Sequence, residues 1–275
     1  MEKKIIMLAV LAIIAVAAVA IFLFAPGSTG ALGPSNYNAT GFTSYDNMRV
    51  NQSFINGLNV SNNVSNYVVQ GSIANYPQMA NGSMLTYNEK PEILYIGAEY
   101  CPYCAAERWA MIIALSRFGK FTGIEYMTSS ATDAYANTPT FTFVNATYSS
   151  PYISFVPVEI ETNKEANGGY PALQNMTQSE SIIANKYDPG QGIPFIDMAN
   201  YSIIDGSQYL PNILQGMDWD QIAAQLKNPN STVAKAIIGS ADVLTAEICK
   251  IDNNKPAGVC GQSYVLKIDG YESFK

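Results

Sequence analysis

Residues 93–104 read Ile-Leu-Tyr-Ile-Gly-Ala-Glu-Tyr-Cys-Pro-Tyr-Cys, and this stretch decides the fold. Its apolar start predicts a buried strand, and the apolar run from Trp109 to Phe118 predicts a buried helix. The two cysteines therefore lie between a strand and a helix. Cys101 would cap the helix, where free backbone N–H groups and the helix dipole stabilise a thiolate. The spacing predicts a redox dithiol with Cys101 as nucleophile and Cys104 as resolving thiol.

The order of elements around this dithiol predicts an α/β fold of the thioredoxin-like, three-layer α/β/α kind, with insertions. Residues 140–144 and 153–160 are aromatic and β-branched, which is typical of a β-hairpin or of two edge strands. Asp218 is placed to begin one helix, and Ser231 or Asn230 can cap the next. We expect strands at 93–97, 123–127, 140–144, 153–160, 192–197 and 201–204, and helices at 101–118, 179–186, 218–227 and 231–251.

The stretch Ala98-Glu99-Tyr100-Cys101 resembles the active-site entry of thioredoxins, and Cys-Pro-Tyr-Cys is the glutaredoxin motif. The chain more closely resembles an archaeal family of membrane-anchored, thioredoxin-like proteins of unknown function. The matching stretches are residues 95–109, 138–141, 152–159 and 245–249. This resemblance implies the fold and a redox role, but no established substrate. We find no glutathione-binding signature, and we expect no cofactor.

Pro194 begins an apolar run after Ile193. In the thioredoxin fold the proline at this place is cis and faces the cysteine pair, and the alternative is a trans proline at a strand start. The backbone before the proline would pair with an extended substrate segment. Tyr100 and Tyr103 would shape the rim of the site. The predicted substrate-binding residues are therefore Ile193, Pro194, Tyr100 and Tyr103.

Charged neighbours of the dithiol allow two interpretations. Arg108 would lower the pKa of Cys101 if it folds back, whereas Glu99 and Glu107 would oppose this effect. Alternatively, Glu99 and Arg108 are surface charges. Trp109 is expected to pack in the core.

Cys249 and Cys260 form a second pair near the C-terminus. A disulfide between them would stabilise the fold by about 3 kcal/mol and would join a helix to a strand-like segment at 263–268. The alternative is a zinc site that uses all four thiols, but the wide second spacing disfavours it. We therefore expect no metal.

The composition excludes several classes of protein. The chain has 275 residues, a net charge of −7 and no histidine. No basic stripe is present to neutralise phosphates, so nucleic acid is not an expected partner. The lack of histidine excludes zinc–histidine sites, Ser-His-Asp triads and Cys-His dyads.

The N-terminus predicts export. Lys3 and Lys4 precede an uncharged run at 5–24, which is long enough to span a bilayer with the N-terminus inside. A cleaved signal peptide is the alternative. We expect a cytoplasmic 1–4, an anchor at 5–24, a tether at 25–45, an extension at 46–88 packed on the main domain, and the domain at 89–275 with an insertion at about 130–190. Sequons agree with export and glycosylation and begin at Asn38, Asn51, Asn59, Asn63, Asn81, Asn145, Asn175, Asn200 and Asn230.

These features predict a membrane-tethered, extracytoplasmic thiol–disulfide oxidoreductase, either an oxidase or an isomerase. Its partners would be thiols or disulfides of exported proteins and a membrane redox partner. Two alternatives remain open. One is a binding or chaperone-like module at the cell surface whose Cys101–Cys104 pair is a structural disulfide, and the other is a structural protein of the cell envelope.

Overall fold

The computed structural model describes residues 47–60 and 73–269, which form a mixed α/β structure around one central sheet. The strands are β1 Gln78–Met79, β2 Thr86–Tyr87, β3 Lys90–Gly97, β4 Lys120–Thr122, β5 Glu125–Thr128, β6 Pro139–Thr142, β7 Thr147–Ser149, β8 Ser154–Glu159, β9 Phe195–Met198 and β10 Ser202–Asp205. The helices are α1 Gln52–Leu58, α2 Pro102–Ser116, α3 Gln178–Tyr187, α4 Trp219–Leu226, α5 Thr232–Ile251, α6 Ala257–Cys260 and α7 Ser263–Asp269, and a 3₁₀ helix spans Pro211–Leu214.

The predicted membrane anchor at 5–24, the cytoplasmic segment 1–4 and the tether 25–45 lie outside the described residues. In the described part of the chain, no helix is both long and apolar enough to cross a membrane. Within the predicted extension, Ile55 and Leu58 of α1 are buried in the larger core cluster.

Strand β3 lies at the centre of the sheet. It pairs in parallel with β8, which puts Leu94 opposite Val156, and antiparallel with β9, which puts Leu94 opposite Asp197. The sheet continues antiparallel from β9 through β10 to β1, and β2 pairs antiparallel with the first residues of β3. The predicted strand at 93–97 and the predicted hairpin of β9 and β10 are confirmed.

Both faces of the sheet are covered. Successive side chains of β3 point to opposite sides, so the strand contributes to the packing on each face. Ile93 and Tyr95 pack in the larger core cluster with residues of α2 and α5. Leu94 and Ile96 pack in a second cluster that includes Ile183 of α3. A strand buried on both faces must be apolar throughout, which is why β3 is a continuous apolar run rather than an alternating one.

Helix α2 follows β3 after a short loop. Cys101 is its N-cap and Pro102 its first residue, where the missing N–H of proline leaves no helix hydrogen bond unmade. From Cys104 to Leu115 every residue of the helix is buried, as the apolar sequence predicted. The observed helix ends at Ser116, two residues before the predicted end.

The segment between α2 and β8 contains two small sheets, one of β4 with β7 and one of β5 with β6. The prediction that 140–144 and 153–160 form a hairpin with each other is wrong, and the edge-strand alternative describes them better. Strand β6 pairs with β5, because Phe141 packs against Trp109 and Tyr126. Strand β8 instead joins the edge of the central sheet, where Val158 is buried beside Leu94.

A disulfide joins Cys249 of α5 to Cys260 of α6, with the two Cα atoms 5.6 Å apart. This is the pair expected from the sequence. The segment at 263–268 is not strand-like as predicted but belongs to helix α7. Val265 and Ile268, three residues apart, are both buried in the larger cluster, whereas Leu266 is exposed. Burial at that spacing is a helical pattern, and this is the physical reason for the correction.

Candidate functional site

The two free cysteines lie at the start of α2. The side chain of Cys101 accepts a hydrogen bond from the backbone N–H of Cys104, at 3.3 Å, and so caps the helix. Cys101 retains 5% of its surface exposed, and Cys104 is fully buried. An incoming sulfur can therefore approach Cys101 but not Cys104, which is the asymmetry that a nucleophilic and a resolving thiol require.

The surroundings shift the pKa values of the two thiols in opposite directions. A hydrogen bond from the Cys104 thiol lowers the pKa of Cys101, and this effect outweighs the burial that would raise it. Backbone N–H groups and the charge of Arg108 lower it further. Burial raises the pKa of Cys104 well above its ordinary value, and its hydrogen bond to Cys101 adds to the rise. Cys101 is therefore the thiol that ionises first.

Ile193 and Pro194 face this pair. The Ile193–Pro194 peptide bond is cis, as the position of Pro194 before β9 predicted. The thiol of Cys101 lies 3.8 Å from the Ile193 carbonyl oxygen, to which it donates. Ile193 also packs against the small cluster formed by Ala98, Cys101 and Cys104. Residues 92 positions apart in the sequence thus meet at the Cys101 sulfur, where the predicted residue Ile193 contacts the predicted nucleophile and Pro194 follows it in the chain.

Tyr100 and Tyr103 lie at the rim, and each has an aromatic partner that sequence reasoning missed. The ring of Tyr100 stacks on that of Tyr170, with centroids 4.1 Å apart, and Tyr103 meets Tyr135 edge-on at 5.9 Å. Tyr170 and Tyr135 come from the predicted insertion. No local pattern in the sequence predicts either pairing, because residues far apart in the chain form both.

The insertion is fixed to this rim by hydrogen bonds. The hydroxyl of Tyr170 donates to Ser130 Oγ at 2.7 Å, and the backbone N–H of Ser130 donates to the Tyr100 carbonyl at 2.9 Å. Ser130 and Tyr170 therefore hold this part of the chain beside Tyr100, the neighbour of Cys101, and Ile193 contacts the Cys101 thiol.

Arg108 is not a surface charge. It is fully buried and makes two hydrogen bonds to the carboxylate of Glu159, at 2.8 and 2.6 Å. Trp109 is buried in the core as predicted, and its Nε1–H donates to the Pro139 carbonyl. Glu99 is half-buried and accepts a hydrogen bond from the Thr142 hydroxyl, while burial raises the pKa of its carboxyl.

The four cysteines do not form the zinc site that the sequence left as an alternative. The sulfurs of Cys249 and Cys260 are bonded to each other, so the alternative of a zinc site built from four thiolates does not fit. Within residues 47–60 and 73–269, no group of three or more histidine, cysteine or acidic side chains could hold a metal ion.

Comparison with known proteins gives one family. A model for a domain of unknown function, DUF929, matches residues 76–170, which include Cys101, Cys104 and part of the insertion but not Pro194. Neither the curated proteins nor the solved structures contain a match to this chain. The family description assigns no activity, so the functional argument depends on the geometry of the site.

Proposed function

We propose that this protein is a thioredoxin-like thiol–disulfide oxidoreductase that acts on exported proteins through Cys101 and Cys104. The observation that supports this most strongly is the position of Cys101. Its sulfur caps a helix, has a lowered pKa, and lies 3.8 Å from the carbonyl of Ile193, the residue before a cis-proline. The finer resemblance, to an archaeal thioredoxin-like family with a Cys-Pro-Tyr-Cys motif, belongs to the same proposal.

The topology supports a thioredoxin-like fold. The strands lie in the order β8, β3, β9 and β10, with β8 parallel to β3 and with β9 and β10 antiparallel to their neighbours. Helix α2 comes directly after β3 in the chain, and α3 connects β8 to β9. Helices α2 and α5 share one face of the sheet, and α3 covers the other. In this plan β4 to β7 and the residues between β8 and α3 would be additions to the core, whereas β8 and α3, which also lie within the predicted insertion at about 130–190, would belong to the core.

The exchange reaction would proceed in two steps. The Cys101 thiolate attacks one sulfur of a client disulfide, a Cys101–client bond forms, and the other client sulfur leaves as a thiolate. Cys104 then loses its proton to that leaving thiolate and attacks Cys101. The second client sulfur leaves and takes a proton from solvent. The client has gained two electrons and two protons, and Cys101 and Cys104 are joined. The reverse sequence oxidises a client dithiol.

Client docking would use the backbone of Ile193. An extended client segment would pair with this backbone, as strand addition does elsewhere, and would bring its sulfur to Cys101. The rings of Tyr100 and Tyr103 would contact the client residues on either side of its cysteine. Because turnover changes the redox state of the Cys101–Cys104 pair, a membrane dithiol or disulfide carrier would restore it.

The location of this chemistry would be outside the cytoplasmic membrane, with residues 5–24 as the anchor. The Cys249–Cys260 disulfide supports an oxidising compartment. Protease added to intact cells should therefore digest the domain, and a fully protected domain would contradict the topology.

The test is a trapping experiment with the full-length chain expressed at its natural location. Cys104→Ser should accumulate mixed disulfides with clients, visible on non-reducing gels, because attack proceeds and resolution fails. Pro194→Thr should also slow release and trap adducts. Cys101→Ser should give none and should lose turnover of a disulfide peptide. The Cys249→Ala/Cys260→Ala double variant is the matched control and should trap no clients. Equal turnover by the wild type and Cys101→Ser would refute the proposal.

One observation favours the second candidate, a binding or chaperone-like module. The exposed surface that makes Cys101 reachable is small, 5%, and so small an exposure also suits a permanent structural disulfide. In that case Cys104→Ser would trap no client, and the wild type would not turn over a disulfide peptide.

A further inference from the structure

Arg108, one helical turn after Cys104 on α2, forms a buried ion pair with Glu159. Both side chains are fully buried, so neither is screened by water. The Arg108 Nη2–H groups donate to Glu159 Oε2 and to the carbonyl oxygen of Ala98, at 2.6 and 2.8 Å. Nε–H donates to Glu159 Oε1 at 2.8 Å. Among the described residues, Nη1 has no hydrogen-bond partner. A bidentate pair of this kind fixes the plane of the guanidinium.

Glu159 is itself held in place. Its backbone N–H donates to the side-chain oxygen of Gln174 at 2.7 Å, and its carbonyl accepts from the Gln174 N–H at 3.0 Å. Strand β8 ends at Glu159, which lies opposite Gly97 in parallel pairing with β3. The carboxylate that orients Arg108 therefore rests on the central sheet.

Ala98 connects this ion pair to the sulfurs. Its carbonyl accepts from Arg108, and its backbone N–H stabilises the thiolate form of Cys104. Ala98 also packs directly against both cysteines. The charge of Arg108 lowers the pKa of Cys101 and of Cys104. The other ionisable side chains that face Arg108 are Tyr95 from β3, Glu99 from the preceding loop and Glu159 from β8.

We propose that Arg108, oriented by Glu159, is a positioning charge that stabilises the reduced, thiolate form of the site and makes the Cys101–Cys104 disulfide a stronger oxidant. This inference rests on the proposed redox function. In the chemistry concerned, a client dithiol gives two electrons to the Cys101–Cys104 bond and becomes a disulfide. Of its two protons, one goes to Cys104 and one to solvent, and the Cys101 sulfur stays anionic. Arg108 favours that product and not the neutral disulfide.

The variants are chosen so that their effects have opposite signs. Glu159→Gln keeps the shape and an acceptor oxygen but removes the negative charge, so the field of Arg108 at the sulfurs is no longer partly cancelled. The pKa of Cys101 should fall and the reduction potential should rise. Arg108→Met/Glu159→Gln removes both charges without leaving one unpaired. The pKa of Cys101 should then rise and the reduction potential should fall, by about 30 mV for each tenfold loss of thiolate.

A second buried pair provides the control. Arg117 Nη1 lies 2.8 Å from Asp242 Oδ1, and both side chains are almost fully buried. Arg117 follows the last turn of α2, about 24 Å along the helix from Cys101, since each residue rises 1.5 Å. Arg117→Met/Asp242→Asn should destabilise the fold to a similar degree and should leave the thiol pKa and the potential unchanged.

The measurement is the pKa of Cys101, from the ultraviolet absorbance of its thiolate, together with the potential in glutathione buffers, on the full-length chain in detergent. Opposite shifts in Glu159→Gln and in the double variant support the inference. Shifts of the same sign, no shift, or an equal shift in the Arg117 control overturn it. If the double variant does not fold, Glu159→Gln decides alone, and an unchanged or raised pKa refutes the inference. The pKa and the potential can be measured whether or not a client is turned over. Failure of the proposed function would instead appear as the absence of mixed disulfides with clients, which is a separate result.

Discussion

At the scale of residues, two thiols three positions apart have different environments. Cys101 receives N–H groups at a helix start, where partial positive charge is concentrated, and its sulfur retains a small exposed surface. Cys104 lies one turn further in and is fully buried. The same helix therefore lowers one pKa and leaves burial to raise the other. We expect alkylation of the reduced protein to modify Cys101 much faster than Cys104.

Glu107 makes a separate prediction about pH. Burial raises the pKa of its carboxyl from 4.5 to about 7, because it is fully buried and accepts only one hydrogen bond, from the Gln208 N–H. Its other oxygen has no partner among the described residues. The folded form thus binds a proton that the unfolded chain releases. Below pH 4.5 both forms are protonated and nothing is lost, and stability falls as pH rises from 4.5 to about 7.

Glu107→Gln should remove this fall, since an amide does not ionise and still accepts from Gln208. The free energy of unfolding above pH 7 should increase by an amount on the order of 3 kcal/mol, less the cost of burying the amide N–H groups. Urea unfolding across the pH range measures it. Glu89→Gln, at an exposed carboxyl, is the control. A Glu107→Gln protein that is less stable than the wild type at every pH would contradict this account.

At the scale of elements, the buried helix α2 connects the site to the core. Its N-terminus presents Cys101, its middle carries Arg108, and its last turn leads to Arg117, which is paired with α5. The Cys249–Cys260 disulfide joins α5 to α6 away from the dithiol. The structural disulfide and the proposed redox pair therefore use different cysteines on different helices.

This separation gives a prediction for the Cys249→Ala/Cys260→Ala variant. Loss of a disulfide that closes a loop of this length should lower the free energy of unfolding by about 3 kcal/mol, because the unfolded chain regains entropy. Disulfide-peptide turnover should remain measurable below the unfolding transition. Guanidinium unfolding measures the first effect. An unchanged midpoint would mean that the disulfide does not stabilise the fold.

Elements with a strong local signal could be predicted from the sequence. The apolar run at 93–97, the capping residues Asp218 and Ser231 and the turn between β9 and β10 each carry their own information. No local signal identifies the strand with which β8 pairs, since a hairpin and a parallel pairing with β3 use the same apolar residues. Helix α7 was missed because its short apolar run fits either period.

The candidate site was predictable to the same extent. Cys101, Cys104 and Pro194 belong to local patterns, and the structure brings Ile193, the residue before Pro194, to the Cys101 thiol. The pairing of Arg108 with Glu159 and the stacking of Tyr100 on Tyr170 depend on the path of the insertion. No local pattern encodes contacts between residues more than 50 positions apart, so only the folded chain reveals them.

At the scale of the whole molecule, the thiol pair lies beyond one end of the central strand of a sheet that is covered on both faces. The parallel strands β3 and β8 end together at Gly97 and Glu159, and α2 begins just beyond, so the sulfurs and the buried ion pair share one end of the sheet. Ser130 is hydrogen-bonded to Tyr100 at that end, and Ile193, before β9, contacts Cys101. This arrangement leaves Cys101 as the point of access.

The reduction potential of the Cys101–Cys104 pair tests the central claim most directly. The full-length wild type would be equilibrated in glutathione buffers, and the fraction of oxidised pair would be read by alkylation and mass spectrometry. A site that exchanges with clients should have a potential near or above that of the glutathione pool, about −200 mV, because the thiolate form of Cys101 is stabilised. A potential below about −300 mV would mean a permanent structural disulfide and would contradict the account.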